Sequence, residues 1–214
     1  MLTSRLTFIA ELAKDKRVLD IGCVNHTLST RQAKYWLHGV LRQHASHLVG
    51  LDYEKDPVEA LRQEGYNVVC ADATDFQLDE KFDVIVAGEI IEHLTCAAKL
   101  LECIRRHLLP GGKVVLTCPN ANNVIYFLEN CVFGHERDNT DHTCLFTPTT
   151  MSVMLQKCGY RALSYHFVAQ NLAFYKNSTR GKLIAHGMWG VQMIAGTVRP
   201  SLCRNFITVA MPVP

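Results

Sequence analysis

Short runs of β-branched and other apolar residues recur along the chain at Arg17–Ile21, His47–Leu51, Asn67–Cys70, Phe82–Ala87 and Lys113–Thr117. Most are nearly continuous rather than alternating, the pattern of strands covered on both faces. Between them apolar positions repeat with a helical period, over Thr30–His44, Pro57–Glu64 and Cys96–Leu108. Strand runs separated by amphipathic helices predict βαβ units and a parallel sheet with helices on both sides. Pro110-Gly111-Gly112 stops a helix and turns the chain into the fifth strand.

The pattern then changes. Asn120–Cys131 predicts a helix, Val132–Thr147 a polar loop rich in His, Asp and Asn, and Pro148–Cys158 a helix stopped by Gly159. Tyr160–Ala169 and Asn205–Met211 read as the last two strands. The expected fold is therefore α/β: a doubly wound, mostly parallel seven-stranded sheet with helices on both faces and the last strand antiparallel. One domain is expected over residues 1–214, with an insert or lid at 171–200.

Composition narrows this picture in three ways. The uncharged stretch between Lys182 and Arg199 is 16 residues long and contains three glycines, His186 and Gln192. That is below the roughly 18–20 residues a membrane span needs. The amino-terminal MLTSRLTFIAELAKDKR has no long apolar run or cleavage motif, so no secretory leader is expected. Nine cysteines without a C-x-x-C pair suggest free thiols and a reducing, cytoplasmic setting. Charge is unevenly spread: all 20 acidic residues lie at or before Asp141, and the residues beyond it carry seven Lys or Arg. Seven cations over 73 residues do not make the dense basic stripe of a nucleic-acid surface. They leave a membrane face or an anionic substrate as the alternatives to a solvated surface.

In an open α/β sheet, ligands bind beyond the carboxyl ends of the strands where strand order reverses. The residues just after each strand therefore carry the chemistry. After the first come Asp20, Gly22 and Cys23, where Gly22 permits close backbone approach. After the second come Asp52 and Tyr53, with Asp52 suited to a ribose diol. After the third come Asp72 and Ala73, where a carboxylate can accept from an adenine amine, and after the fourth Gly88 and Glu89. Each alone is an ordinary cap or turn residue; four in order at strand ends form a pattern.

VLDIGC, LDYEKD, ADATDF, FDVIVAGEIIEHL and LLPGGKVVLTCPN resemble the successive motifs of Rossmann-like S-adenosylmethionine-dependent methyltransferases over residues 15–120, and FTPTTMSVMLQKCGY continues the likeness more loosely. The resemblance implies Gly22 beside the methionine part, Asp52 on the ribose, Asp72 and Ala73 at the adenine, and Gly88 and Glu89 near the sulfonium. One departure stands out: that family's first loop carries two or three glycines, whereas Val24-Asn25 follow Gly22-Cys23 here. No G-x-G-x-x-G is present to receive a dinucleotide pyrophosphate.

Methyl transfer from a sulfonium needs alignment above all, and a base only where the acceptor is a hydroxyl. Candidates for that base are Glu89, Glu92, His93 and His142. A helix after the fourth strand would put Glu89, Glu92 and His93 on one face, at i, i+3 and i+4. With His142 they are similar to the metal set of small-RNA 2′-O-methyltransferases, so Glu89, Glu92, His93 and His142 are also candidate ligands for a divalent ion. The metal-free use is favoured, as in small-molecule methyltransferases with the same E-x-x-E-H segment. His38, His44 and His47 read as surface or satisfied polar residues. Trp189, Met188, Met193 and Ile194, with Tyr126, Phe127 and Phe133 opposite, are candidates to line an apolar acceptor pocket or face a lipid. The expected function is transfer of methyl from S-adenosylmethionine to a small-molecule acceptor, on oxygen in preference to nitrogen or carbon. A metal-dependent RNA 2′-O-methyltransferase and a non-catalytic cofactor-binding protein are the alternatives.

Overall fold

The computed structural model describes residues 4–24, 36–135, 139–168 and 179–213. Seven strands form one sheet in the order β3-β2-β1-β4-β5-β7-β6. They are β1 (Arg17–Ile21), β2 (His47–Asp52), β3 (Val68–Cys70), β4 (Phe82–Gly88), β5 (Leu108–Pro119), β6 (Tyr160–Val168) and β7 (Asn205–Pro212). The first five pair in parallel, and β7 lies antiparallel to both β5 and β6. The sheet thus matches the expected doubly wound arrangement with its last strand antiparallel.

The near-continuous apolar runs are explained by burial on both sides. Leu19, Ile21, Val49, Leu51, Ile85, Ala87, Val114 and Leu116 join one apolar cluster, under Leu100, Leu101 and Ile104 of α4 (Ala97–His107) and Met151 and Leu155 of α6 (Pro148–Lys157). The alternate positions Val18, Val84, Val86 and Val115 meet Ile9 and Ala13 of α1 (Arg5–Ala13) and Leu41 of α2 (Leu37–Leu41). Val58 and Leu61 of α3 (Lys55–Gln63) cover β3 on that same side. Burying each of the Val, Leu, Ile and Met side chains among them contributes about 1.5–3 kcal/mol.

Local signals set the helix ends. Ser4 caps α1 by accepting from the Thr7 amide at 3.2 Å. Asn123 accepts from the Tyr126 amide at 2.9 Å and starts α5 (Val124–Phe133), which Gly134 ends in the left-handed region at φ 76°. Thr147 and Thr150 cap each other reciprocally at the head of α6, with Pro148 in its first turn.

Two expectations change, and the insert gains a described element. Of the helix expected over Thr30–His44, the described part is α2 at Leu37–Leu41, and residues 25–35 lie outside the described residues. β5 extends well beyond Lys113–Thr117, because Leu108 already pairs with Phe82. The expected insert holds a long helix, α7 (Thr179–Val198), that packs on α5, while residues 169–178 lie outside the described residues. Among the described residues, no helix is long and apolar enough to cross a membrane.

Candidate functional site

Strand order reverses between β1 and β4, and the residues beyond their carboxyl ends form the candidate site. The loop after β1 is held to the end of β2. Gly22 N–H donates to Leu51 O at 2.8 Å, Cys23 N–H to the same oxygen at 3.3 Å, and Val24 N–H to Asp52 Oδ2 at 2.9 Å. Gly22 sits at φ 78°, and a methyl group added there would overlap the Ile90 side chain. With three N–H groups spent on β2 and the Cys23 carbonyl accepting from the Trp36 indole at 2.8 Å, the loop has the Gly22 and Val24 carbonyls to offer a ligand. Carbonyls suit an ammonium and repel a phosphate.

Asp52 also accepts from the Glu54 amide at 3.2 Å and is only 7% exposed. Burial pushes its carboxyl above the ordinary aspartate range, against the pull of the backbone N–H groups. Tyr53 beside it is 75% exposed, a flat apolar surface open to stacking. At the end of β3, Asp72 Oδ1 accepts from Thr74 N–H at 2.7 Å and from its hydroxyl at 2.8 Å. Those bonds hold the carboxyl below the ordinary range and use only one of its two oxygens. Ala73 lies half-buried against the apolar cluster next to it.

The end of β4 departs from the expected helix. Glu89 takes φ 56°, in the left-handed region, and the residues after it form a 3-10 turn, Ile91–His93. The Glu89 carboxylate is thereby carried away from Glu92 and His93. It accepts from Arg5 Nη1 at 2.9 Å, from the Thr117 hydroxyl at 2.8 Å and from Asn205 Nδ2 at 3.0 Å. Glu89 therefore does not share a face with Glu92 and His93, as its spacing on a helix would have placed it. Only Nη1 of Arg5 is used in these contacts, which also include Thr117 Oγ1 at 3.2 Å.

Glu89→Ala is expected to destabilise the fold by about 1–3 kcal/mol, because it strips a charged partner from Arg5. Glu89→Gly should recover roughly 1 kcal/mol of that loss, since glycine adopts the left-handed backbone without strain. Urea unfolding of the two variants checks both the loss and its order.

Glu92, His93 and His142 do come together: one ligand atom from each lies within 4.8 Å of the others. Glu92 is buried at 1% exposure, and the rings of His93 and His142 meet edge to face at 4.7 Å between centroids. Thr143 makes this possible. Its amide donates to Glu92 O at 2.8 Å, and its hydroxyl reaches Glu92 O at 3.0 Å and Leu94 O at 2.9 Å. The loop carrying His142 is thereby fastened along the turn that carries His93. Asn139 shapes it further, accepting from the Asp141 amide through its side chain and from the His142 amide through its carbonyl. His93 Nδ1 lies 3.3 Å from the carbonyl of Asp141, which can only accept, so in this contact Nδ1 is the donor. The three side chains are close enough to pass a proton among them or to serve as ligands to one divalent ion.

The structure gathers most of the sequence-predicted residues at one end of the sheet, on the strand ends where they were expected. Gly22 and Cys23 follow β1, Asp52 and Tyr53 β2, Asp72 and Ala73 β3, and Gly88 and Glu89 β4. Asp20 turns instead beneath the loop, where it pairs with His38 at 3.0 Å, both residues 2% exposed or less. His38 is thus a core residue. His44 Nδ1 meets Val40 O at 2.9 Å and His47 Nε2 meets Glu80 at 2.8 Å, both satisfied polar contacts. Arg5, Thr117, Thr143 and Asn205 are site residues that sequence reading passed over, each tied to it by a contact across at least 28 positions.

The fold is shared by an S-adenosylmethionine-dependent methyltransferase of Clostridium acetobutylicum ATCC 824 (TM-score 0.61, 11% identity, covering 98% of this chain and 91% of that one). A cyclase shares it too (TM-score 0.62, 19% identity, covering 98% and 81%), so the architecture alone does not decide the reaction. In sequence, the chain is 27% identical over 159 residues to a ubiquinone biosynthesis O-methyltransferase of Aeromonas salmonicida (strain A449), covering 67% of this chain and 62% of the relative. It therefore spans about three fifths of that relative's length. The family model of a methyltransferase domain matches residues 2–165, most of the sheet and all the strand ends described above. The chain belongs to the methyltransferase-domain family.

Proposed function

We propose that this protein transfers a methyl group from S-adenosylmethionine to an oxygen of a small-molecule acceptor. The observation that carries the reading is the match between the groups offered at the strand ends and those of the cofactor. The methionine ammonium, the ribose diol and the adenine amine are donors. The carbonyls of Gly22 and Val24, the Asp52 carboxylate and Asp72 Oδ2 are acceptors set out in that order along β1, β2 and β3. Exposed Tyr53 offers a stacking face for the adenine, and the Nε and Nη2 groups of Arg5 suit the methionine carboxylate.

S-adenosylmethionine supplies a methyl group already activated for in-line displacement, so the protein's part is to align the acceptor and take its proton. Glu92, His93 and His142 lie next in sequence or space to the β4 end, where that proton would leave. His93 Nε2, with Nδ1 held on Asp141 O, and His142 are the groups able to accept it. The relatives named O-methyltransferases support oxygen as the methylated atom. Phe127, Leu128 and Val132 of α5 and Trp189, Val191, Ile194 and Val198 of α7 are exposed on two helices that pack together. They support an acceptor with an apolar or lipid-linked portion presented at that face.

Calorimetric titration of S-adenosylmethionine into the purified protein, with and without chelator, tests the reading. The expected result is saturable binding unaffected by chelator, followed by turnover on hydroxylated apolar acceptors. Absence of binding would overturn the assignment. Turnover that falls with chelator and returns with a divalent ion would assign Glu92, His93 and His142 to an ion instead.

A further inference from the structure

The loop after β1 lacks the glycines that usually let such a loop lie close to a ligand, yet it has a defined path. Two side chains just beyond residues 25–35 hold it. The Trp36 indole N–H donates to the Cys23 carbonyl at 2.8 Å, with Trp36 5% exposed and Cys23 2%. Two residues on, the His38 imidazole meets Asp20 Oδ2 at 3.0 Å on the strand that feeds the loop.

The sheet is built to admit the His38 ring beside the Cys23 side chain. Gly50 on β2 is paired with Asp20, and a methyl group there would stand 2.7 Å from both Cys23 Sγ and His38 Cε1. It would also lie 2.8 Å from Val68 Cγ1. Gly50 therefore leaves a slot that the thiol of Cys23 and the ring of His38 occupy together. Behind them, Tyr66 packs edge-on against Trp36 at 5.3 Å between centroids and near His38 at 5.9 Å. The Arg42 guanidinium covers the Tyr66 ring at 4.1 Å.

We infer that Trp36 and His38 are positioning residues that fix the first loop by side-chain hydrogen bonds, with His38 seated in the slot at Gly50, and so set its affinity for the cofactor. The inference rests on the proposal that this loop receives S-adenosylmethionine. The logic is one of pre-organisation. Three loop N–H groups are fixed by β2 and one loop carbonyl by the indole. The remaining carbonyl direction is then set before the ligand arrives, rather than ordered at its expense. Neither Trp36 nor His38 need touch the ligand for this, and Asp20, satisfied by the imidazole, is not left as a lone buried charge.

The test uses the full chain. Trp36→Phe keeps the ring packing and removes the donor. His38→Asn keeps an N–H donor toward Asp20, whereas His38→Ala removes it, and Gly50→Ala fills the slot. Calorimetry with S-adenosylmethionine is expected to show affinity about five- to twenty-fold weaker in Trp36→Phe, His38→Ala and Gly50→Ala, with most of it recovered in His38→Asn. Should His38→Ala fail to fold, Trp36→Phe and His38→Asn carry the comparison. A readout without ligand runs beside it: the chain has two tryptophans, so a 15N spectrum shows two indole N–H resonances, assigned by Trp189→Phe. The Trp36 indole and the Cys23 and Val24 amides should shift in His38→Ala and stay in place in His38→Asn. Folded variants that bind as the wild type does, or amides that do not move, would overturn the inference. If the wild-type protein binds no S-adenosylmethionine but the amides move as described, the loop attachment stands and the cofactor assignment falls.

Discussion

His142→Ala is expected to lower methyl-transfer turnover by about 10²–10⁴-fold while leaving S-adenosylmethionine affinity within about two-fold. His142 lies on a loop fastened to the 91–94 turn by Thr143, not on a strand end that would contact the cofactor. It meets His93 edge to face beside buried Glu92, a group suited to moving a proton. His93→Ala should fall in the same range, and the double variant only slightly further, because residues acting as one unit are not additive. Steady-state rates at saturating cofactor, using an acceptor found by screening, check all three. Undiminished turnover in His142→Ala would make that side chain a structural partner of His93 and nothing more.

Asp52→Ala is expected to weaken S-adenosylmethionine binding by about 1–3 kcal/mol, through loss of charge-assisted bonds to the ribose. The structure adds a second consequence. Asp52 Oδ2 holds the Val24 amide and Oδ1 the Glu54 amide, so alanine frees both and loosens the first loop. A fall in stability of about 1–2 kcal/mol should accompany the loss of affinity. The pH dependence has a definite sign. Burial raises the Asp52 carboxyl, so the fold favours its protonated form. That contribution to stability is full below the ordinary aspartate range and is lost as pH rises through the raised value. Cofactor affinity runs the opposite way: the carboxylate is the better acceptor, so affinity falls as pH drops through that value. Calorimetry from about pH 7 down to about pH 4 should show this fall in the wild type and a flatter profile in Asp52→Ala. A pH-independent wild-type affinity would place the ribose elsewhere.

The strands were legible because they are buried on both faces, so Phe82–Ala87 and Lys113–Thr117 declare themselves in any window a few residues long. The strand-end acids followed, since topology decides where strand ends gather. Glu89 shows where local pattern stops being informative. Its spacing to Glu92 and His93 would give a common face only on a helix, and a left-handed residue followed by a 3-10 turn sends its carboxylate the other way. What holds it there is remote: Arg5 is 84 positions away in the chain and Asn205 is 116. His38 illustrates the same limit. A histidine in a helical stretch reads as a surface or satisfied polar residue, and only the missing side chain at Gly50, on another strand, reveals the buried space it fills. Thr143 was obscured differently, as one hydroxyl in a polar loop whose role depends on which carbonyls lie opposite.

The position of β7 between β5 and β6 bears on how the chain is made. Among the described residues β6 pairs with β7 alone, and β7 is synthesised after it. At about 5–20 residues per second, the stretch from Val168 to Pro212 takes roughly two to nine seconds to translate. During that interval a nascent chain with β1 to β5 already assembled carries an unpaired edge on β5 and an unattached β6. Exposed edges of this kind pair readily with other chains. Slow translation of the last segment, or its loss, would therefore show up as aggregation during synthesis before it showed up as lost activity.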